Sequence, residues 1–150
     1  MILMGSTFHS LHYHITFSTK ERRPFIVPEW RTQLHQYLGG TVRGLGGVAE
    51  TVGGTADHAH LLVSLKTTHT PADFLRELKR SSSSWVRDLH DRYFTWQDGY
   101  AIFSTSWTHC AVVRRYIEGQ EEHHHKIAFE DELKRLLKKN GIQYDPKYLL

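Results

Sequence analysis

Asp57-His58-Ala59-His60-Leu61-Leu62-Val63 is the stretch on which the reading of the fold turns. Taken as residues 56–66 it alternates as a strand, because strand side chains point to opposite faces with period two. Leu61, Val63 and Leu65 fall on one face; His58, His60, Leu62 and Ser64 fall on the other. Two imidazoles thus project from one side of an element whose other side is apolar. Just upstream, residues 48–52 are short and β-branched at their ends, and Gly53-Gly54 is a turn signal, so residues 48–66 read as a β-hairpin.

Towards the N-terminus, residues 8–18 alternate in the same way, with Leu11, Tyr13, Ile15 and Phe17 opposite Ser10, His12, His14 and Thr16. Lys20-Glu21-Arg22-Arg23-Pro24 reads as a basic loop, and Pro28 opens a helix carrying Trp30, Leu34, Tyr37 and Leu38 at helical spacing. Gly39-Gly40 weakens its second half, Val42 and Leu45 continue the stripe, and Gly46-Gly47 ends it.

Towards the C-terminus, Thr70-Pro71-Ala72-Asp73 starts a second helix with a hydroxyl cap, a proline in the first turn and an acid after it. Phe74, Leu75, Leu78, Trp85, Val86 and Leu89 form its buried stripe to about His90, and Arg76, Lys79, Arg80, Ser83 and Arg87 its polar side. After the turn at Gln97-Asp98-Gly99, residues 100–105 alternate as a fourth strand. A third helix from about His109 carries Val112, Val113, Tyr116 and Ile117, then turns polar through Gln120, Glu121 and Glu122 into His123-His124-His125. With no apolar face there, core burial cannot anchor its end, which is expected to be mobile or docked on a polar site. Gly119 inside it costs about 1 kcal/mol relative to alanine. The last helix, Phe129–Lys139, has acids first and bases last, matching the helix dipole, and Asn140-Gly141 closes it.

The order β-α-β-β-α-β followed by two helices predicts an α+β, ferredoxin-like fold: an antiparallel sheet with helices on one face, plus C-terminal helices. Residues 1–150 read as one domain, with 126–150 as a C-terminal helical tail. The first and third strands are then central neighbours, which brings His12 and His14 beside His58 and His60 if the registers agree.

With 39% apolar and 23% charged residues the composition is that of a soluble globular domain, not of a disordered or low-complexity chain. No apolar run approaches the ~20 residues of a membrane helix, and Met1-Ile2-Leu3-Met4-Gly5 is too short for a signal-peptide core, so a cytoplasmic location is expected. Cys110 is the only cysteine, which excludes an intrachain disulfide and a thiolate cluster. A formal charge of +3 is compatible with a phosphate-bearing partner. Twelve histidines are unusual for this length, and they fall in pairs and runs.

On a helix, Tyr116 and Gln120 share a face. With His58 and His60 they offer two imidazoles, an amide oxygen and a phenol, a set that can form a metal site with a nucleophile beside it. Spacing alone does not single it out, since His12-Tyr13-His14 has the same form. The sequence resembles the single-tyrosine HUH transposases of small bacterial insertion sequences and the related REP-associated tyrosine transposases. Their signature is His-hydrophobic-His on a central strand, then a helix with one tyrosine and a third metal ligand four residues later. His58-Ala59-His60-Leu61-Leu62 matches the first element and Tyr116 with Gln120 the second; Tyr13-His14 and the Arg22-Arg23-Pro24 loop are also alike.

The resemblance implies a metal-dependent transposase acting on single-stranded or hairpin DNA. In such proteins the tyrosine attacks a backbone phosphate, leaving a 5′-phosphotyrosine and a free 3′-hydroxyl that can later be rejoined. It implies Tyr116 as nucleophile, His58, His60 and Gln120 as ligands of Mg²⁺ or Mn²⁺, and a homodimer in which the tyrosine helix can complete the partner's site. His123 lies on the same helical face as an auxiliary candidate for proton transfer or phosphate contact. Asp57 is a candidate to accept a hydrogen bond from a ligand imidazole, although its strand parity points it to the opposite face. Candidate DNA contacts are Lys20, Arg22, Arg23, Lys79, Arg80, Arg87, Arg114 and Arg115. Nothing catalytic carries over to residues 129–150. The alternatives are a catalytically inert nucleic-acid-binding domain of the same fold and, last, a two-histidine phosphoesterase suggested by His14-Ile15-Thr16, which lacks a second His-x-Thr.

Overall fold

In chain order the elements are β1 (His12–Ser18), α1 (Pro28–Gly44), β2 (Val48–Gly54), β3 (His58–Ser64), α2 (Pro71–Leu89), β4 (Ala101–Thr105), α3 (Cys110–Glu118), α4 (Gln120–His123) and α5 (Phe129–Lys139). The computed structural model describes residues 5–124 and 126–149. Met1 to Met4 of the leader, His125 of the histidine run and Leu150 lie outside the described residues. The sheet runs β2-β3-β1-β4 with every neighbouring pair antiparallel, so β1 and β3 are central as expected.

Alternation along β1 and β3 separates two layers. Ile15, Phe17, Leu61 and Val63 face the main core, packed on Trp30, Leu34 and Leu38 of α1 and on Phe74, Leu75 and Leu78 of α2. Burying each such side chain contributes about 1.5–3 kcal/mol. The opposite face is not left to solvent. Leu62 packs under Val113 and Ile117 of α3, and Ala101 and Phe103 of β4 pack under Phe129, Leu133 and Leu137 of α5. The C-terminal helices therefore roof the face that carries the histidines.

Three local expectations change. β1 begins at His12 rather than at residue 8, because His12 is opposite both Ser64 of β3 and Thr105 of β4, where the ladders end. Gly53-Gly54 is not the hairpin turn: both glycines are paired within β2, opposite His60 and Ala59, and residues 55–57 make the connection. A Cβ on Gly53 would stand 2.5 Å from the Ile117 carbonyl oxygen, so glycine there lets α3 lie directly on the sheet. Gly54 has φ +139°, and a Cβ there would collide with the His58 carbonyl oxygen. Finally, Thr70 sits at the cap of α2 without making the side-chain cap bond.

The polar end of the third helix is docked. Gly119 interrupts it between α3 and the single turn α4, and Gln120 is 1% exposed. The basic loop after β1 is fixed too: Glu21 and Arg22 take left-handed φ of 56° and 53°, and the Arg22 guanidinium meets Glu130 of α5 at 3.3 Å.

Candidate metal and nucleophile site

His58 and His60 leave β3 on the roofed face, and both are completely buried. Each ring is held from behind. His58 Nδ1 lies 2.8 Å from Asp57 Oδ1, and His60 Nδ1 lies 2.8 Å from Nε2 of His14 on the adjacent strand. These contacts turn both Nε2 atoms inward, the usual arrangement behind metal-binding imidazoles. Asp57 escapes the parity objection because it precedes β3, and its carboxylate curls back to the ring that follows it.

Opposite these nitrogens stand Gln120 from α4 and Glu132 from α5. Gln120 Oε1 is 2.8 Å from His58 Nε2, and its amide nitrogen donates to Glu132 Oε2 at 3.0 Å. Glu132 Oε1 is 2.9 Å from His60 Nε2, 3.6 Å from His58 Nε2 and 3.1 Å from His124 Nε2. The Tyr116 hydroxyl donates to Glu132 Oε2 in a short hydrogen bond. One carboxylate, 1% exposed, thus joins the two histidines, the glutamine and the tyrosine.

The charges follow from this packing. Burial alone would raise the Glu132 carboxyl, but hydrogen bonds from His124, His60 and Tyr116 outweigh it and hold it well below the usual carboxylate range. Tyr116 moves the other way: burial first, then its bond to Glu132, push the phenol well above its ordinary value of 10.0. Burial lowers His60 to about 4 and His14 to about 3.

The donor set fits a divalent cation. When the ring proton of His58 is committed to Asp57, its Nε2 turns a lone pair towards the lone pairs of Gln120 Oε1 at 2.8 Å. A positive charge between them removes that conflict, and His58, His60 and Glu132 form a buried cluster with the reach of a metal site. Neutral imidazole with amide and carboxylate oxygen makes a mixed nitrogen and oxygen donor set that could hold a divalent ion.

The remaining predicted residues scatter. His123 Nε2 is 3.4 Å from Glu132 Oε2 and its ring lies 5.5 Å from that of Tyr116, so it borders the site. His12 does not join His14 and instead faces Glu50 at 3.5 Å. Lys79 donates to the carbonyls of Gln97 and Gly99, Arg87 to that of Phe94, and Arg80 and Arg23 pair with Glu77 and Glu21. Lys20, Arg114 and Arg115 are exposed. A cavity of about 260 Å³ opens beside Tyr116, lined by His14, His109, Val113, Arg135 and Lys139 among others.

Glu132 is the residue that the sequence reading missed. Its signal was there: it shares a helical face with Phe129, Leu133 and Leu136, an acid inside an apolar stripe. Reading it as a dipole-complementing acid of the first turn hid that position.

Known proteins share this fold. The ISDra2 transposase TnpA of Deinococcus radiodurans is 26% identical over 121 residues, spanning 76% of this chain and 86% of that protein. Among solved structures, a D. radiodurans R1 protein assigned as a transposase superposes with a TM-score of 0.66 at 24% identity, covering 80% of this chain and 98% of that one. A REP-associated tyrosine transposase bound to a REP hairpin superposes with a TM-score of 0.61 at 14% identity, covering 85% and 76%. These likenesses show a shared fold. The model of the IS200-like transposase family matches residues 7–120, ending at Gln120 and so before α5. By that match, which spans β1 to the start of α4, the chain belongs to the IS200-like transposase family.

Proposed function

We propose that this transposase cleaves and rejoins single-stranded DNA at hairpin-bearing sites, with Tyr116 as nucleophile and a 5′-phosphotyrosine intermediate. The observation that carries the reading is the convergence of the Tyr116 hydroxyl, His60 Nε2 and the Gln120 amide nitrogen on one buried carboxylate, with Gln120 Oε1 against His58 Nε2. The hairpin bound to one structural neighbour supports the substrate class.

His58, His60 and Gln120 would hold Mg²⁺ or Mn²⁺, with Glu132 Oε1 as a further oxygen donor. When bound, such an ion supplies positive charge that polarises the scissile phosphate and offsets the carboxylate that keeps Tyr116 protonated. Asp57 and His14 orient the two imidazoles. Glu132 accepts the Tyr116 hydroxyl hydrogen, so the nucleophile is both aimed and held as a phenol. As the phenol oxygen bonds to phosphorus its proton passes to the Glu132 carboxylate, the phosphorus bond to the 3′-oxygen breaks and that oxygen leaves as a hydroxyl with a proton from water, while the linkage energy stays in the phosphotyrosine for resealing without ATP. Lys20, Arg22, Arg23, Arg114 and Arg115 are candidates for phosphate contacts, and His123 for proton transfer at the rim. The protein acts as a cytoplasmic homodimer in this reading. Tyr116 and Gln120 meet the chain's own Glu132 and His58, so a site within one chain has its parts together.

A labelled single-stranded hairpin incubated with Mn²⁺ should become covalently attached to the wild-type protein and not to Tyr116→Phe. Equal attachment to both would remove Tyr116 from the role. DNA binding with no adduct under Mn²⁺, Mg²⁺ or Zn²⁺ would make the protein an inert binding domain.

A further inference from the structure

A second cluster of ligand atoms lies on the roofed face, away from Glu132. We propose that His12, Glu50 and Cys110 form a Zn²⁺ site that fastens the start of the tyrosine-bearing helix α3 to the sheet.

Three separate elements supply the donors. His12 opens β1 and, like His14, projects under the roof, about 7 Å further along the strand. Glu50 is the extra residue of a β-bulge: Ala49 is opposite Val63 and Thr51 opposite Leu62, so Glu50 has no partner of its own. A bulge re-aims the side chain it inserts. Here the carboxylate of Glu50 comes to 3.5 Å from His12 Nδ1. Cys110 is the first residue of α3 and packs against Leu62, Val113 and Ile117. The ligand atoms of all three residues lie within 4.8 Å of one another.

The spacing is that of a coordination shell rather than of a hydrogen bond. His12 Nδ1 is buried and has no hydrogen-bond partner, and 3.5 Å is too long for one. A buried polar atom left in this way costs about 1–3 kcal/mol. Bonds of ~2.0–2.1 Å from nitrogen and oxygen to tetrahedral zinc put those two ligands about 3.4 Å apart. The His12–Glu50 separation of 3.5 Å is already close to it. Among the described residues the Cys110 sulfur makes a weak contact to the Ser106 carbonyl at 3.5 Å, which a small rotation towards His12 and Glu50 would give up. Its thiol proton leaves to solvent on binding. One imidazole, one carboxylate and one thiolate favour zinc over magnesium, with water in the fourth position. This site stands independently of the reading of Tyr116.

The test is titration of the chelator-stripped full chain with Co²⁺, then Zn²⁺. The wild-type protein should develop a thiolate-to-cobalt charge-transfer absorption that Zn²⁺ abolishes. The band should persist in the double variant His58→Ala, His60→Ala and vanish in Cys110→Ser. Glu50→Gln and His12→Ala should each weaken the affinity for Co²⁺ at that band at least about tenfold. The wild-type titration decides without depending on any variant's folding: no thiolate band overturns the proposal. A band of unchanged affinity in both His12→Ala and Glu50→Gln overturns it as well, leaving Cys110 as an isolated thiol.

Discussion

Replacing Glu132 with alanine should destabilise the metal-free protein by roughly 3–5 kcal/mol, the range found when one partner of a buried charged network is removed. The magnitude can be built from its partners. His60 Nε2 and the Gln120 amide, at 2.9 and 3.0 Å, are fully buried donors that would lose their acceptor. Each orphaned donor costs about 1–3 kcal/mol. The Tyr116 hydroxyl and His124, less deeply placed, contribute less because water can reach them. For a chain of this length each kcal/mol moves the melting temperature by about 2–4 °C, so a fall of roughly 6–20 °C is expected. Glu132→Gln keeps an oxygen in place and should cost about half as much, losing charge but not every acceptor. Urea unfolding followed by circular dichroism in EDTA measures both, with an unchanged denaturant slope as the check that only stability has moved. A loss below about 1 kcal/mol for the alanine variant would mean that water satisfies these donors and that Glu132 does not organise the site.

Asp57→Ala removes the acceptor behind His58 and should weaken Mn²⁺ binding about 10–100-fold by calorimetry, whereas unchanged affinity would show that the ring is oriented by packing alone. Gly53→Ala drives a methyl into the Ile117 carbonyl, and should cost about 1–3 kcal/mol and slow covalent attachment of DNA at least tenfold by displacing α3. Acid should destabilise the metal-free protein. Burial lowers His60 from 6.5 to about 4, so the unfolded chain takes up a proton that the fold refuses. The resulting stability, roughly 3 kcal/mol, is complete above pH 6.5 and lost as pH falls towards 4. His14, lowered to about 3, adds in the same direction, and a melting temperature that stayed flat from pH 7 to 4.5 would contradict both.

The parts of the fold legible in the sequence were those governed by local periodicity. Alternation in residues 56–66 put His58 and His60 on one face, and α5 has the predicted bounds because its charges and its Asn140-Gly141 stop are local signals. What alternation does not carry is which tertiary partner covers a face. Gly53-Gly54 looks like turn chemistry, yet its meaning is the approach of Ile117 from more than sixty residues away. Strand parity points Asp57 away from the site, but parity does not hold one residue before the strand begins. Glu132 belongs to the site only because α5 folds back over β4 and reaches His60 of β3, a long-range packing event. The polar end of the third helix was legible as a problem needing a polar partner; Glu132 and His58 are that partner.

The most direct measurement is mass spectrometry of the protease-digested adduct formed with a single-stranded hairpin and Mn²⁺. The peptide containing Tyr116 should carry the nucleotide through a 5′-phosphate, with a free 3′-hydroxyl on the released fragment. Attachment at another residue, or cleavage that leaves a 3′-phosphate and no adduct, would contradict it.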